Sequence, residues 1–258
     1  MPPGHTDPWE KFPLGLGLGV PAALGGQISP ESLLGAQRRA IFCQPREDQA
    51  DIDLNKQIYA PDVKAGDIPI LSGGIDPYAT LWWSPATRYV IPVEQVRVGR
   101  SLRRTLRTCN WNTSLDRDFN GVIAGCREGR SPRWITDQMV AGLRTLHQSG
   151  WVHTAEVWDR EDLIAGVFGY AIGSVFVMES SFHRKRDAGK VAIVDLACRS
   201  RAGGLALLDF EVESEYAVGL GACPLAREDY LRYLQTSSAP SVLDANVEHV
   251  SRLIADKP

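Results

Sequence analysis

The segment LALLDFEVE, residues 205–213, sets Asp209, Glu211 and Glu213 at every second position. Read as a strand, it carries these acids on one face and Leu208, Phe210 and Val212 on the other. Two readings are open. A half-buried strand can simply turn its polar face to water. Alternatively, adjacent same-face carboxylates repel, which raises one pKa towards that of a base near neutral pH. Another acid, Glu179, stands in VFVMESSFHRKRDAGK, residues 175–190, at the end of an apolar, β-branched run. The cations Arg184, Lys185 and Arg186 follow it, then Asp187 and Lys190.

A second constellation is basic. Arg100, Arg103, Arg104 and Arg107 recur at spacings of three and four in VGRSLRRTLR, which puts them on one side of a helix. Like charges there weaken an isolated helix, so they imply either a solvated face balanced by nearby acids or contacts to a phosphate backbone. The cluster HRKR at 183–186 is a second candidate for the latter. Two short motifs are set aside. GLGLG at 15–19 has no strand before it and Pro21 after it, so it is no nucleotide loop. RAGGLA at 201–206 fits the R-x-x-G-x-A loop of acetyltransferases but precedes a strand, as a glycine turn ending a helix would. His147 and His153 have no third partner at ligand spacing, and no metal site is expected.

The elements that must position these residues follow from pattern. Ser29-Pro30-Glu31 opens a helix with a cap, a first-turn proline and an acid at the positive end. Residues 44–80 carry turn formers and little periodicity and read as an irregular loop. Helices are expected at 116–127, at 136–149 with Thr136 as cap, at roughly 187–202 and at 226–235. Strands are expected in VHTAEVWD, LIAGVFGYAIG, SVFVMESSF and LALLDFEVE. Val242, Leu243, Val247, Val250 and Ile254 fall on one face of a helical tail. This succession implies a mixed α/β or α+β core.

Composition bounds the function. With 258 residues, 44% hydrophobic and 23% charged, the chain is of globular type, and its net charge of −3 confines any nucleic-acid contact to local clusters. Five scattered cysteines with no C-x-x-C argue against a zinc ribbon or disulfide framework and for a reduced, cytoplasmic setting. No run is apolar enough to span a membrane, and LGLGLGVPAALGG lacks the basic start of a secretory signal.

Taken together, LWWSPATRYVIP, VGRSLRRTLR, RWITDQMV, LHQSGWVHTAEVW, VFVMESSFHR, DAGKVAI, LLDFEVE and GLGACPLAREDYLRYL resemble the leucyl/phenylalanyl-tRNA–protein transferases, in order, over most of residues 29–235. The resemblance implies a small N-terminal domain (1–86) and an acyltransferase domain of the GNAT fold (87–236), followed by the tail (237–258). It implies transfer of an amino acid from charged tRNA, leucyl-tRNA above all, to an amine. The donor ester is already activated, so no cofactor or metal is needed. Arg100, Arg104 and Arg107 match the family's tRNA-binding helix, and Arg103, Arg184 and Lys185 extend that surface. Trp134, Glu179 and Asp209 match active-site positions. Phe176 and Leu208 resemble its apolar side-chain pocket.

Departures cluster at substrate-facing positions. The family's Tyr and Trp become Gln37 and Gln44. That Trp helps hold the terminal adenosine, a role left to Trp82 or Trp83. Another Tyr becomes Leu143, pocket Phe positions become Leu196 and Ser200, the Met of E-S-M-F becomes Ser181, and a catalytic Gln becomes Glu211. These changes favour a small-molecule amine acceptor, cationic and of natural-product (antibiotic) type, with Glu211 as its binder or as general base. The alternatives are the family's conventional protein acceptor with N-terminal Arg or Lys, and a non-catalytic tRNA-binding relative.

Overall fold

A computed structural model describes Trp9 and residues 19–255. In chain order it begins with β1 (Ala23–Gly25), α1 (Pro30–Gln37), β2 (Phe42–Pro45), α2 (Gln49–Ala65), β3 (Ile70–Leu71) and β4 (Thr80–Trp83). Next come β5 (Thr87–Pro92), α3 (Arg100–Thr108), β6 (Trp111–Leu115), α4 (Phe119–Arg127) and α5 (Asp137–Gln148). Then follow β7 (Val152–Asp159), β8 (Asp162–Ile172), β9 (Val175–His183), α6 (Ala188–Ala202) and β10 (Leu207–Asp209). The chain closes with α7 (Glu215–Leu220), β11 (Cys223–Ala226), α8 (Arg227–Leu234), β12 (Glu248–His249) and α9 (Arg252–Ala255). The mixed α/β, or α+β, class is the one the pattern implies. Of the GLGLG segment, residues 15–18 lie outside the described residues.

The chain divides into two units. One takes the described residues up to Ala86 together with Gly129–Leu146; the other takes Thr87–Glu128 and the chain from His147. An uninterrupted domain over 87–236 is therefore not what forms. Residues 129–146 leave it because α5 packs within the first unit. Gln138 Nε2 donates to Ile28 O at 3.1 Å, the Asp137 amide donates to Glu47 Oε1 at 2.9 Å, and a Cβ on Gly142 would meet Leu33 at 2.8 Å.

In the first unit a four-stranded sheet runs β2-β4-β1-β3. Ser29 caps α1 in a reciprocal box with Ser32. The expected irregular loop over 44–80 is replaced by a 17-residue helix, α2. Asp48 caps its start by accepting from the Ala50 amide, and Gly66 ends it at φ 86. Ile52 and Asn55 are buried on its inner side, and Tyr59 and Val63 pack on Leu24, Ile68 and Leu81. The pattern is hard to see because the opposite face carries Leu54 and Ile58, 53% and 51% exposed, so no single apolar stripe stands out. Pro61 lies inside the helix and adds a false stop.

In the second unit eight strands run β11-β5-β10-β9-β8-β7-β6-β12. β7, β8 and β9 form an antiparallel meander, whereas β9 and β10 are parallel and joined through α6. Most of α6 is buried: Val191, Ile193, Leu196 and Ala197 join Val167, Phe176 and Leu208 in the main core. Gly204, at φ 79, follows α6, so RAGGLA is a helix end and its turn. The tail does not form the single helix expected. It is an irregular stretch with the short β12 and α9, and Val242 and Val247 stay exposed while Leu243 and Val250 are buried. A polar clamp fastens it. Buried Asp195 accepts from Thr113 Oγ1 at 2.7 Å, from Arg199 Nε at 2.7 Å and from Arg252 Nη2. Arg199 donates onward to the carbonyls of Asp244 and Asn246.

Candidate active site

The arginine helix forms as its spacing predicts. In α3, Leu102 and Leu106 are buried while Arg100, Arg103, Arg104 and Arg107 are exposed. Arg103 Nε donates to Val98 O at 3.1 Å. Ser101 and Thr105, on another side of α3, donate to Asp187 Oδ2 at 3.3 and 3.1 Å, which ties the helix to the start of α6. The second basic cluster is less available. Arg184 Nη2 lies 3.0 Å from Glu128, and Lys185 Nζ lies 2.5 Å from Asp159, both near the surface.

The acids sit where β9 and β10 part. The last register pair of that ladder is Asp209 with Val177, so Glu211 and Glu179 each lie two residues beyond it, at the same end. Glu179 occupies a bulge. Phe168 pairs with Ser180 and Gly169 with Met178, which leaves Glu179 as the extra residue and re-aims its side chain. Gly169 makes room for this close approach, since a Cβ there would fall 2.0 Å from Val177 O. Ser181, opposite Val167, is half-buried beside it.

The run Asp209, Glu211, Glu213 does not continue as one strand face. β10 ends at Asp209, and Glu211 takes φ 64. The Val212 amide donates to Phe210 O at 2.7 Å across it, which makes Glu211 the centre of a γ-turn with positive φ, a rare and strained conformation. Carboxylate repulsion along an extended face is therefore not the governing interaction. Asp209 is wholly buried and surrounded by donors. Its Oδ2 accepts from Arg88 Nε at 3.0 Å, Arg88 Nη2 at 2.5 Å and Tyr230 Oη at 2.6 Å, and its Oδ1 accepts from the Glu211 amide at 2.8 Å. Burial works against the Arg88 charge, but Asp209, Tyr230 and Glu211 more than offset it and hold the guanidinium above its ordinary pKa. Burial, and then the charge of Asp209, pushes the Tyr230 phenol well up, so it stays a donor. The Glu211 side chain is 13% exposed, with Oε1 3.8 Å from Arg88 Nη2.

Phe176, Leu208 and Leu196 do come together. Phe176 and Leu208 are register partners, Leu196 comes from the helix over that face, and all three have zero exposure. In the first unit, Gln44 and Trp83 share the sheet face on which α2 packs, by the pairings Gln44–Leu81 and Phe42–Trp83. Trp82 is not available for stacking on a base. It is fully buried on the other face, its Nε1 donates to Gly25 O at 2.8 Å, and its ring meets Trp9 edge-on. Trp134 is half-buried and belongs to this first unit.

Sequence reading missed Arg88 and Tyr230. An arginine alternating with Tyr89 and Ile91 passes for an outward residue, and Tyr230 passes for an apolar helix position. The one usable signal was that Arg88 shares a strand face with the apolar Val90, in a strand that β10 and β11 flank on either side.

Comparison with known proteins gives the class. Residues 90–235 match the family described as leucyl/phenylalanyl-tRNA protein transferase. A protein so named from Maricaulis maris is 38% identical over 64% of this chain and 77% of its own length. One from Xanthomonas campestris pv. campestris is 34% identical over 84% of this chain and 77% of its own. One from Cupriavidus necator is 32% identical over 90% and 88%. The chain belongs to this family and is an aminoacyltransferase whose donor is aminoacyl-tRNA. The expected small-molecule, natural-product acceptor finds no support among these relatives, which are named for transfer to protein.

Proposed function

We propose that the chain moves a leucyl or phenylalanyl group from its tRNA to the N-terminal amine of a protein, an Arg or Lys terminus being the acceptor that the family resemblance implies. The reading rests on the two acids, Glu179 and Glu211, that each lie two residues beyond the last β9–β10 pair, at the same end of the ladder. An acceptor there is an ammonium that must lose a proton before it reacts. Its nitrogen then attacks the ester carbonyl carbon, the C–N bond forms, the C–O bond to the tRNA ribose breaks, and a proton goes to the leaving ribose oxygen. Glu211, near the surface, binds the cationic acceptor or takes its proton, and Glu179 completes the acidic end. The exposed α3 arginines contact tRNA phosphate, with Arg184 and Lys185 secondary because acids already engage them. Phe176, Leu196, Leu208 and Ser181 are proposed to shape the donor's side-chain pocket, with Trp134, Trp83 and Gln44 on the terminal adenosine. A GNAT-type core and a cytoplasmic location belong to the same proposal. None of the five cysteines forms a disulfide, and among the described residues no helix is long and apolar enough to cross a membrane.

The test supplies the protein with radiolabelled leucyl-tRNA and either a peptide beginning with Arg or a pool of small amines. Label is expected on the peptide; label confined to small amines overturns the reading. With the peptide, Glu211→Gln should lower turnover, and full activity would remove Glu211 from the reaction.

A further inference from the structure

We infer that Arg88 and Tyr230 are positioning residues for Glu211, acting through Asp209, and that Asp209 itself does not meet substrate. This rests on the proposed role of Glu211 towards the cationic acceptor. Asp209 has zero exposure and accepts four hydrogen bonds, three at Oδ2 and one at Oδ1. A carboxylate so enclosed cannot reach the proton of a bound amine, since a base needs direct or one-water contact with it. What it can do is hold its donors in place.

One of those donors is the Glu211 amide. Glu211 sits at φ 64, where a side chain bearing Cβ persists only if its surroundings over-determine it. Three bonds supply that constraint. The Phe210 amide donates to Tyr89 O, the Glu211 amide donates to Asp209 Oδ1, and the Val212 amide donates to Phe210 O. The middle bond depends on where Asp209 points, and Arg88 and Tyr230 fix that direction. Arg88 does so with a two-pronged guanidinium, Tyr230 with a hydroxyl carried by α8. Arg88 also faces Glu211 directly, at 3.8 Å, so one cation orients both acids. Its ring contact with Tyr230, 5.0 Å from guanidinium carbon to ring centroid, locks the two donors to each other. Arg227 also feels the Arg88 charge, and it lies at the start of the helix that brings Tyr230.

The test is a double-mutant cycle on the full chain, with leucyl-tRNA and an Arg-starting peptide. Tyr230→Phe removes one donor and little volume. It should raise the peptide KM about tenfold, the size of coupling typical of residues in one network. Its affinity for leucyl-tRNA, measured by filter binding, should stay unchanged. In a Glu211→Gln background, Tyr230→Phe should add nothing further. Arg88→Lys, which keeps charge but loses the fork, should act in the same direction. A Tyr230→Phe effect that is undiminished beside Glu211→Gln overturns the inference and leaves the role of Glu211 intact. So does a lower melting temperature with unchanged KM. If Glu211→Gln alone leaves peptide kinetics unaltered, the reading of Glu211 fails first and this inference with it.

Discussion

Glu156 gives the sharpest prediction about stability. It lies on β7 with zero exposure, accepting from Thr154 Oγ1 at 2.6 Å, Ser114 Oγ at 2.7 Å and the Asp118 amide at 3.4 Å. Burial raises its pKa from 4.5 to about 7; these hydrogen bonds pull it back in part, and the nearby Asp116 charge pushes it further up. Below pH 4.5 the acid is protonated folded and unfolded, and it contributes nothing to pH dependence. Between there and about 7 only the folded protein holds the proton, so stability falls as pH rises. Above the folded pKa the full cost applies, about 3 kcal/mol for a rise of this size. Glu156→Gln removes the ionisation, and the Ser114 and Thr154 hydroxyls can turn to accept from the new amide. The melting temperature of the variant minus that of the parent should therefore climb between pH 4.5 and 8, by about 6–12 °C for a chain of this length. Calorimetric melts at half-unit pH intervals measure it, and subtraction cancels every group common to both proteins. A flat difference curve, or one that falls with pH, would refute the reasoning.

Other outcomes follow from single features. Arg100→Glu with Arg104→Glu should weaken leucyl-tRNA binding and make the plot of log affinity against log salt less steep by about 0.7–0.9 per lost phosphate contact; unaltered affinity would mean a solvated face. Gly169→Ala puts a Cβ 2.0 Å from Val177 O, so the protein should fail to fold or lose its site geometry, visible in thermal melts and activity together. Arg199→Ala leaves Asp195 short of a partner and frees the carbonyls of Asp244 and Asn246. It should cost about 3–5 kcal/mol and open the chain beyond Ser237 to protease first.

The sequence made the meander and its neighbours plain. β7, β8 and β9 are long, apolar runs separated by turn residues, and α4 and α5 begin at side chains that cap them, Asp118 and Thr136. What escaped was set by contacts distant in sequence. β10 stops at Asp209 because side chains from β5 and α8 hold that carboxylate, and no local propensity of DFEVE encodes this. Arg88 meets Asp209 across 121 positions, so each looks like an ordinary polar residue in its own segment. The acids Glu179, Asp209 and Glu211 were all visible as candidates. That Asp209 is sealed while the Glu211 side chain keeps a small exposed part was not, because exposure depends on what covers a strand end. α2 was hidden by its second apolar face, and the tail by its reliance on one buried arginine rather than on a stripe of valines.

The strand order also has a consequence for synthesis. β5 finds its sheet neighbours only in β10 and β11, which follow it by more than a hundred residues. On a ribosome adding about 5–20 residues per second, Arg88 waits on the order of ten seconds for its carboxylate. Until then β5 is an open edge carrying an unmatched guanidinium. The meander can form during that interval, so the acidic end of the sheet is completed last, and a chain cut short before Asp209 emerges with most of its fold and none of its acidic lock.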